Sequence, residues 1–129
     1  MKNFPKTAGK LLLLSLLGLV MTGCGREGAV SFSQEVRPIL DQNCIECHQV
    51  GGIGEQASGF SMETYDDLMK GTNFGPMIIA GDTKGSNLLV LMEGRADPSI
   101  NMPHGYREPV STQDIQIVSL WIDQGAKNN

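Results

Sequence analysis

The residues best suited to chemistry form one short stretch, Cys44-Ile45-Glu46-Cys47-His48. The pattern Cys-x-x-Cys-His is the attachment sequence for c-type haem. One helical turn brings the two thiols to positions from which they can bond the two vinyl groups, and the adjacent imidazole can turn to the iron from the same face. We therefore expect Cys44 and Cys47 to hold one covalent haem c and His48 to bind its iron.

Three other interpretations of the cysteine pair stay open at this point. A thioredoxin-like dithiol needs a βαβ context, and the sequence has no clear strand pattern to provide it. A zinc site could use Cys44, Cys47 and His104, but it would leave His48 without a role and would have only these three certain ligands. A simple disulfide between the two cysteines would make the position of His48 a coincidence.

The second axial ligand matters because His/Met, His/His and open haem sites support different chemistry. We favour Met102, which lies in a proline-bearing loop and is followed by Pro103, whose fixed φ restrains the chain beside the thioether. His104 is the other histidine of the chain and the main competitor. Met77, in a turn-rich apolar stretch, and an open site are the remaining alternatives. The other candidate methionines fit helical patterns, where the side chain is more often core filler: Met62, Met69 and Met92.

The first 23 residues resemble an export signal and not part of a fold. Three lysines precede an apolar run over residues 11–20, which is too short for a comfortable transmembrane span. The segment ends on Gly23-Cys24, as a bacterial lipobox does, so we predict a signal peptide at 1–23 and a lipid on Cys24. An ordinary signal peptide followed by a stray cysteine is the alternative.

The remaining chain predicts a glycine-rich tether at 24–30 and one domain at 31–127. Without residues 1–23 the chain loses three lysines and keeps 7 Lys+Arg against 14 Asp+Glu, a net charge of −7. Such an acidic surface disfavours nucleic acid and favours redox partner proteins with a basic docking face. We expect the protein on the periplasmic side of a bacterial membrane, held by its lipid, and Gly25 after the cysteine is compatible with the outer membrane.

Helical periodicity and helix caps without a clear strand pattern predict an all-α fold. The first helix is expected from about Ser31 to Asn43, with Pro38 kinking it or delaying its start. The last helix carries a capping box of Ser111 and Asp114 and a strong apolar face. That face holds a single tryptophan, which we interpret as a packing residue between the terminal helices and not as a redox relay.

The middle of the domain predicts two short helices separated by loops. One helix is expected at 64–70, and another follows a possible Ser86 cap and ends at Gly94. Residues 49–59 hold four glycines and few apolar anchors, so we expect a loop there. Residues 95–109 hold three prolines without an apolar period, and a long loop of this kind in a small domain is usually functional.

With the Cys44–His48 motif and Asn101-Met102-Pro103 in this order, the chain resembles a small class I cytochrome c domain of the planctomycete type. The resemblance runs from about residue 32 to residue 126 and includes several shorter stretches: 36–40, 81–82, 86–89 and 120–126. It implies that the terminal helices pack together, that His48 is the proximal ligand and that Met102 is the distal one. The chain departs from the pattern at His104, where similar domains often have a second proline or glycine.

These features predict a monohaem carrier of single electrons that catalyses no reaction of its own. A peroxidase or nitrite-type haem enzyme would need an open iron position and a distal acid or base, and usually more than one haem or domain. A sensor or gas-binding module, in which a ligand displaces Met102, is a third class. Arg37, Arg95 and Arg107 are the cations expected near the haem propionates, because a buried propionate needs a charge partner or donors.

Overall fold

The computed structural model describes residues 28–129, in which helices are joined by loops. A π-helical turn at Phe32–Val36 precedes six α-helices: α1 (Arg37–Asn43), α2 (Ile45–His48), α3 (Ile53–Ser58), α4 (Tyr65–Lys70), α5 (Asn87–Met92) and α6 (Thr112–Asp123). Residues 28–129 contain no strand, and extended backbone pairs only at two isolated bridges. The predicted all-α fold is confirmed. No helix among these residues has the length and hydropathy needed to cross a membrane.

The predicted N-terminal segments fall mostly beyond this part of the chain. The signal peptide at 1–23 and the lipidation site Cys24 lie outside the described residues, as do residues 24–27 of the predicted tether. These assignments stay predictions.

The two ends of the described chain meet. The backbone N–H of Val30, whose side chain is buried, donates to Gln124 Oε1 at 2.7 Å. The backbone N–H of Phe32 donates to Asn129 Oδ1 at 2.8 Å. Ordered contacts therefore extend on both sides of the residues predicted as the domain, 31–127.

The first helical segment runs without a break from a π-helical turn into α1. Ser31 caps the turn, and its Oγ accepts from the backbone N–H of Gln34. Pro38 lies in the first turn of α1, where a backbone N–H has no partner within the helix. The helix expected from about Ser31 to Asn43 is therefore present, and its hydrogen-bond pattern changes from π to α next to Pro38.

Helix α6 packs against this N-terminal segment through aromatic side chains. Trp121 is 1% exposed, and its ring centroid lies 5.4 Å from that of Phe32. The indole Nε1–H donates to the carbonyl oxygen of Lys127 at 2.8 Å, which satisfies the polar end of the buried ring. Ser111 caps α6 by accepting from the backbone N–H of Asp114, as predicted. The terminal segments of the domain thus pack against each other, and Trp121 is a packing residue between them.

The loop prediction for residues 49–59 is wrong in part, because α3 occupies Ile53–Ser58. No residue of α3 is buried, so the helix lacks the apolar periodicity by which sequence reasoning finds helices. Its last turn is fixed locally, since Ser58 Oγ donates to the carbonyl oxygen of Gly54 at 2.6 Å. Gly59 ends the helix in the left-handed region, with φ 72°.

The two middle helices occur close to where the sequence predicts them. Thr64 caps α4 by accepting from the backbone N–H of Asp67. Ser86 precedes α5, but its side chain makes no cap bond to that helix. The buried Ser86 hydroxyl instead donates to the carbonyl oxygen of Asp82 at 2.6 Å and accepts from the backbone N–H of Ile79 at 2.9 Å. It therefore fixes the turn that leads into α5.

Candidate functional site

Helix α2 presents the Cys-x-x-Cys-His residues within a single helical turn. The backbone N–H groups of Cys47 and His48 both donate to the carbonyl oxygen of Cys44, at 3.1 and 3.0 Å. All three side chains border the same cavity, of about 260 Å³, which we call the first cavity. The structure therefore brings together the two thiols and the imidazole that the sequence singled out.

The His48 ring is buried and held by the backbone of a distant residue. Its side chain is 7% exposed, and its Nδ1 lies 2.9 Å from the carbonyl oxygen of Phe60. A carbonyl oxygen can only accept, so Nδ1 carries a proton and donates, and Nε2 is the ring nitrogen that this hydrogen bond leaves uncommitted. The Phe60 ring meets the imidazole nearly edge-on, with centroids 5.4 Å apart. These contacts hold the ring in place and leave Nε2 as the nitrogen that could bind a metal.

Gly54 lets α3 approach the reactive edge of this imidazole. A Cβ added at Gly54 would lie 2.7 Å from His48 Cε1 and 2.9 Å from Nε2. Such distances require a neighbouring group to shift, so the absence of a side chain at this position is a condition of the observed ring placement. Gly54 could not be identified from the sequence, because one glycine among the four of residues 49–59 carries no distinguishing signal.

A second cavity, of about 400 Å³, shares part of its lining with the first. Three residues border both cavities: His48, Ser58 and Met102. The lining is mainly apolar in both, with Ile53 and Ala57 in the first and Phe60 and Leu88 among the residues of the second. A space with a mainly apolar lining suits a hydrophobic ligand or cofactor.

Met102 differs from His104 and Met77, the other candidate ligands, because it borders both cavities. Of the histidines and methionines that border these two spaces in the described chain, only His48 and Met102 border both. His104 is exposed and borders the first cavity, whereas the buried Met77 borders the second. The geometry therefore favours Met102 as the partner of His48, without assigning a bond.

The segment that carries Met102 is a long loop, as the sequence predicts. We call residues 93–111, between α5 and α6, the Met102 loop. The backbone N–H of Met102 donates to the carbonyl oxygen of Leu91 over 3.3 Å. Within residues 28–129, Asn101 Oδ1 is the buried side-chain oxygen or nitrogen atom that has no hydrogen-bond partner. The loop is thus less fully bonded than the helix on the other side of the site.

Arg107 is the cation that the structure places at the site. It borders the first cavity, forms an ion pair with Glu46 of α2, and lies close enough to Cys44 to lower its pKa. Burial has the larger effect and raises the pKa of the Cys44 thiol from 9.0 to about 12. The thiol of Cys44 is therefore protonated at neutral pH in this chain.

The other two arginines expected near haem propionates lie elsewhere. Arg37 forms an ion pair with Asp41 and donates to the carbonyl oxygens of Met62 and Glu63. Arg95 forms an ion pair with Glu93. Neither of these arginines borders the two cavities, so only the expectation for Arg107 keeps a structural basis.

The alternative interpretations of the cysteine pair find no matching geometry. Cys44 and Cys47 are free thiols and form no disulfide. No group of three or more His, Cys, Asp or Glu side chains in residues 28–129 is arranged to hold a metal ion, so a zinc site lacks a ligand set there. The same residues contain no strand for a thioredoxin-like βαβ unit.

The residues present fit a covalently attached haem. Two free thiols one helical turn apart lie beside an imidazole whose Nδ1 is bonded to a backbone carbonyl, which leaves Nε2 as the nitrogen for a metal. A thioether borders the same two apolar cavities as that imidazole. This donor set, two thiols with a His/Met pair, is one that c-type haem uses.

Comparison with known proteins adds one family match. Residues 44–104 match the family model described as Planctomycete cytochrome C. The matched range begins at Cys44 and includes both Met102 and His104. No curated protein matches the chain, and no solved structure does.

Proposed function

We propose, from the premise that residues 44–104 are a cytochrome c domain of planctomycete type, that this protein is a monohaem electron carrier. Cytochrome c domains hold covalent haem c and transfer electrons. Cys44 and Cys47 would hold the porphyrin through thioether bonds, and His48 and Met102 would be the proximal and distal ligands of its iron. When bound, the haem supplies a one-electron ferric/ferrous couple.

One observation carries this proposal. His48 and Met102 border both apolar cavities, while the cysteine pair borders the first cavity beside them. The hydrogen bond from His48 Nδ1 to the carbonyl oxygen of Phe60 fixes the tautomer, holds the ring and increases the basicity of Nε2. An apolar lining excludes water from the site, which limits the reorganisation that accompanies electron transfer.

A carrier is favoured over a haem enzyme because two side chains would occupy both axial positions. The histidine beside Met102, His104, is exposed and borders only one of the two cavities. A haem enzyme would need an open iron position and a general acid or base within hydrogen-bond reach of the reacting group. The chain has a single Cys-x-x-Cys-His motif, which supports one haem.

The test is the pigment of the purified protein and its response to carbon monoxide. Protein made with c-type haem maturation should keep its haem through acid–acetone extraction, give a c-type pyridine spectrum and resist carbon monoxide in the ferrous state. A variant with both Cys44→Ala and Cys47→Ala is the control and should lose the extraction-resistant pigment. Stoichiometric zinc, extractable haem or tight carbon monoxide binding would contradict the proposal.

We further propose that a lipid on Cys24 holds the protein on the periplasmic side of a bacterial membrane, and the outer membrane is compatible with Gly25. The support is the order of basic, apolar and small residues before Cys24. Wild-type protein should partition with membranes, and Cys24→Ser should release it or block processing. A mature protein without acyl mass would contradict the lipid anchor.

The proposed partners are redox proteins with a basic docking face, and nucleic acid is not among them. The support is the net charge of −7 that remains without residues 1–23. Long-range attraction between opposite charges raises association rates and is screened by salt. Electron exchange with a basic redox protein should therefore slow as ionic strength rises from 10 to 200 mM, on the order of tenfold or more. A rate that is independent of salt would contradict this partner class.

A further inference from the structure

The Met102 loop is fastened to the rest of the site by very few polar contacts. Met102 itself makes one long backbone bond, to Leu91 of α5. Beyond it, the polar contact made by residues 103–109 within the described chain is the ion pair between Arg107 and Glu46. This ion pair is therefore the loop's attachment on the side that follows the thioether.

The partner of Arg107 in this ion pair belongs to the helix that carries the cysteine motif. Glu46 lies in α2 between the two cysteines of the motif. The ion pair thus joins the loop that carries Met102 directly to the helix that carries His48. A contact between these two elements favours the arrangement in which both side chains border the same two cavities.

The surroundings of the two charges determine the size of the effect. The Arg107 side chain is 24% exposed and borders the mainly apolar first cavity, whereas the Glu46 side chain is 66% exposed. A cation at an apolar wall gains from a carboxylate partner, but an exposed carboxylate is screened by water. Measured exposed pairs change an equilibrium by up to about fivefold, and we expect an effect in that range.

We propose that Glu46 and Arg107 are positioning residues, whose ion pair holds the Met102 loop against α2 and so keeps Met102 in place as the distal ligand. This inference rests on the proposed function, because it needs a haem site with Met102 beside the iron. The ion pair favours the closed state of the loop over a state in which the loop is displaced. It touches neither the iron nor a substrate. Arg107 as a partner of a haem propionate is the competing role, and the experiment separates the two.

The experiment measures how well added imidazole displaces Met102 in the ferric holoprotein. Imidazole binds only where the thioether has left, so its apparent affinity increases with the displaced fraction of the loop. Glu46→Gln and Arg107→Gln should each increase the affinity about two- to fivefold. The double variant should show no more than either single change, and Glu46→Arg with Arg107→Glu should return the affinity towards wild type.

The matched control is Glu93→Gln. It breaks the ion pair between Glu93 and Arg95, which lies at the start of the same loop and makes no link to α2. Its imidazole affinity should equal that of the wild type. If Glu93→Gln raised the imidazole affinity as much as Glu46→Gln or Arg107→Gln, the proposal would be overturned. The loss of any charge on the loop would then be enough to raise the affinity.

Two further outcomes overturn the inference while the proposed function stands. Unchanged affinity in both single variants would show that the ion pair does not hold the loop. Effects that multiply in the Glu46→Gln, Arg107→Gln variant would show that Arg107 acts on another group, such as a propionate. A wild-type holoprotein without the long-wavelength sulfur-to-iron band would instead remove the proposed Met102 ligand, and this inference with it.

Discussion

The two sides of the site are built differently. On one side, α2 places His48 by backbone bonds within one turn, buries it to 7% exposure and ties Nδ1 to the carbonyl oxygen of Phe60. On the other side, a loop without helix or strand carries Met102, whose backbone bond to Leu91 is 3.3 Å long. The buried side-chain oxygen of Asn101, next to Met102, has no partner within residues 28–129.

This difference indicates which side tolerates change. Removing a group from the His48 side leaves a buried hydrogen-bonding group unsatisfied or a cavity behind, and both costs are large. A change on the Met102 side alters a loop that makes few hydrogen bonds, and segments of that kind open at a lower free-energy cost than packed helices. We therefore expect substitutions around α2 to prevent formation of stable holoprotein. Substitutions in the Met102 loop should keep the haem and change only its distal ligand.

The largest effect is expected for the covalent and proximal residues. Cys44→Ala, Cys47→Ala and His48→Ala should each leave little stable holoprotein, because the haem completes a small apolar core. Haem per protein from the pyridine spectrum is the measurement. Met102→Ala is the comparison from the other side and should keep nearly full covalent haem. If Met102→Ala lost as much haem as the variants of Cys44, Cys47 and His48, the two sides of the site would not differ in their tolerance of change.

The next effect is expected for Gly54→Ala, which adds a Cβ 2.7 Å from His48 Cε1. The imidazole or α3 must shift, so the variant should lose about 1–3 kcal/mol of unfolding free energy, as overpacking usually costs. Denaturant unfolding of the holoprotein is the measurement. Gly28→Ala is the control, because no atom lies within 4 Å of its added Cβ. If both variants unfold at the wild-type denaturant midpoint, the close approach of α3 to His48 makes no contribution to the free energy of unfolding.

The smallest effect is expected for Asp97 in the Met102 loop. The Ser99 hydroxyl and backbone N–H donate to its carboxylate and hold the pKa of Asp97 below its usual 3.8. A lowered folded-state pKa gives stability that is present above pH 4 and is lost as pH falls through the folded value. Asp97→Asn should therefore weaken the loop slightly at pH 6 and differ less from wild type near pH 3.5.

The measurement for Asp97 is the urea concentration at which the sulfur-to-iron band disappears. At pH 6 the wild type should retain the band to a higher urea concentration than Asp97→Asn does. The difference between these two urea concentrations should be smaller near pH 3.5. Ser99→Ala removes the donor hydroxyl and should reproduce the change. A gap that widens on acidification would show the opposite sign and contradict the role given to Asp97.

Much of this arrangement could be predicted from local sequence signals, and the remainder depends on contacts between distant residues. The capping box of Ser111 and Asp114 gave a correct helix start because it acts within three residues. Helix α3 was missed because it buries none of its residues. The bond from His48 to the Phe60 carbonyl could not be predicted, since any backbone carbonyl could serve. The Glu46 and Arg107 pair joins segments whose proximity is set only by the fold.

The central claim, that Met102 and not His104 completes the site opposite His48, is open to one direct comparison. A thioether ligand gives ferric haem a faint long-wavelength sulfur-to-iron band and a higher potential than a second imidazole would. Met102→Ala should abolish the band and lower the potential, and His104→Ala should leave both nearly unchanged. The reverse pattern, with His104→Ala opening the iron and Met102→Ala silent, would identify a bis-histidine site and contradict the account.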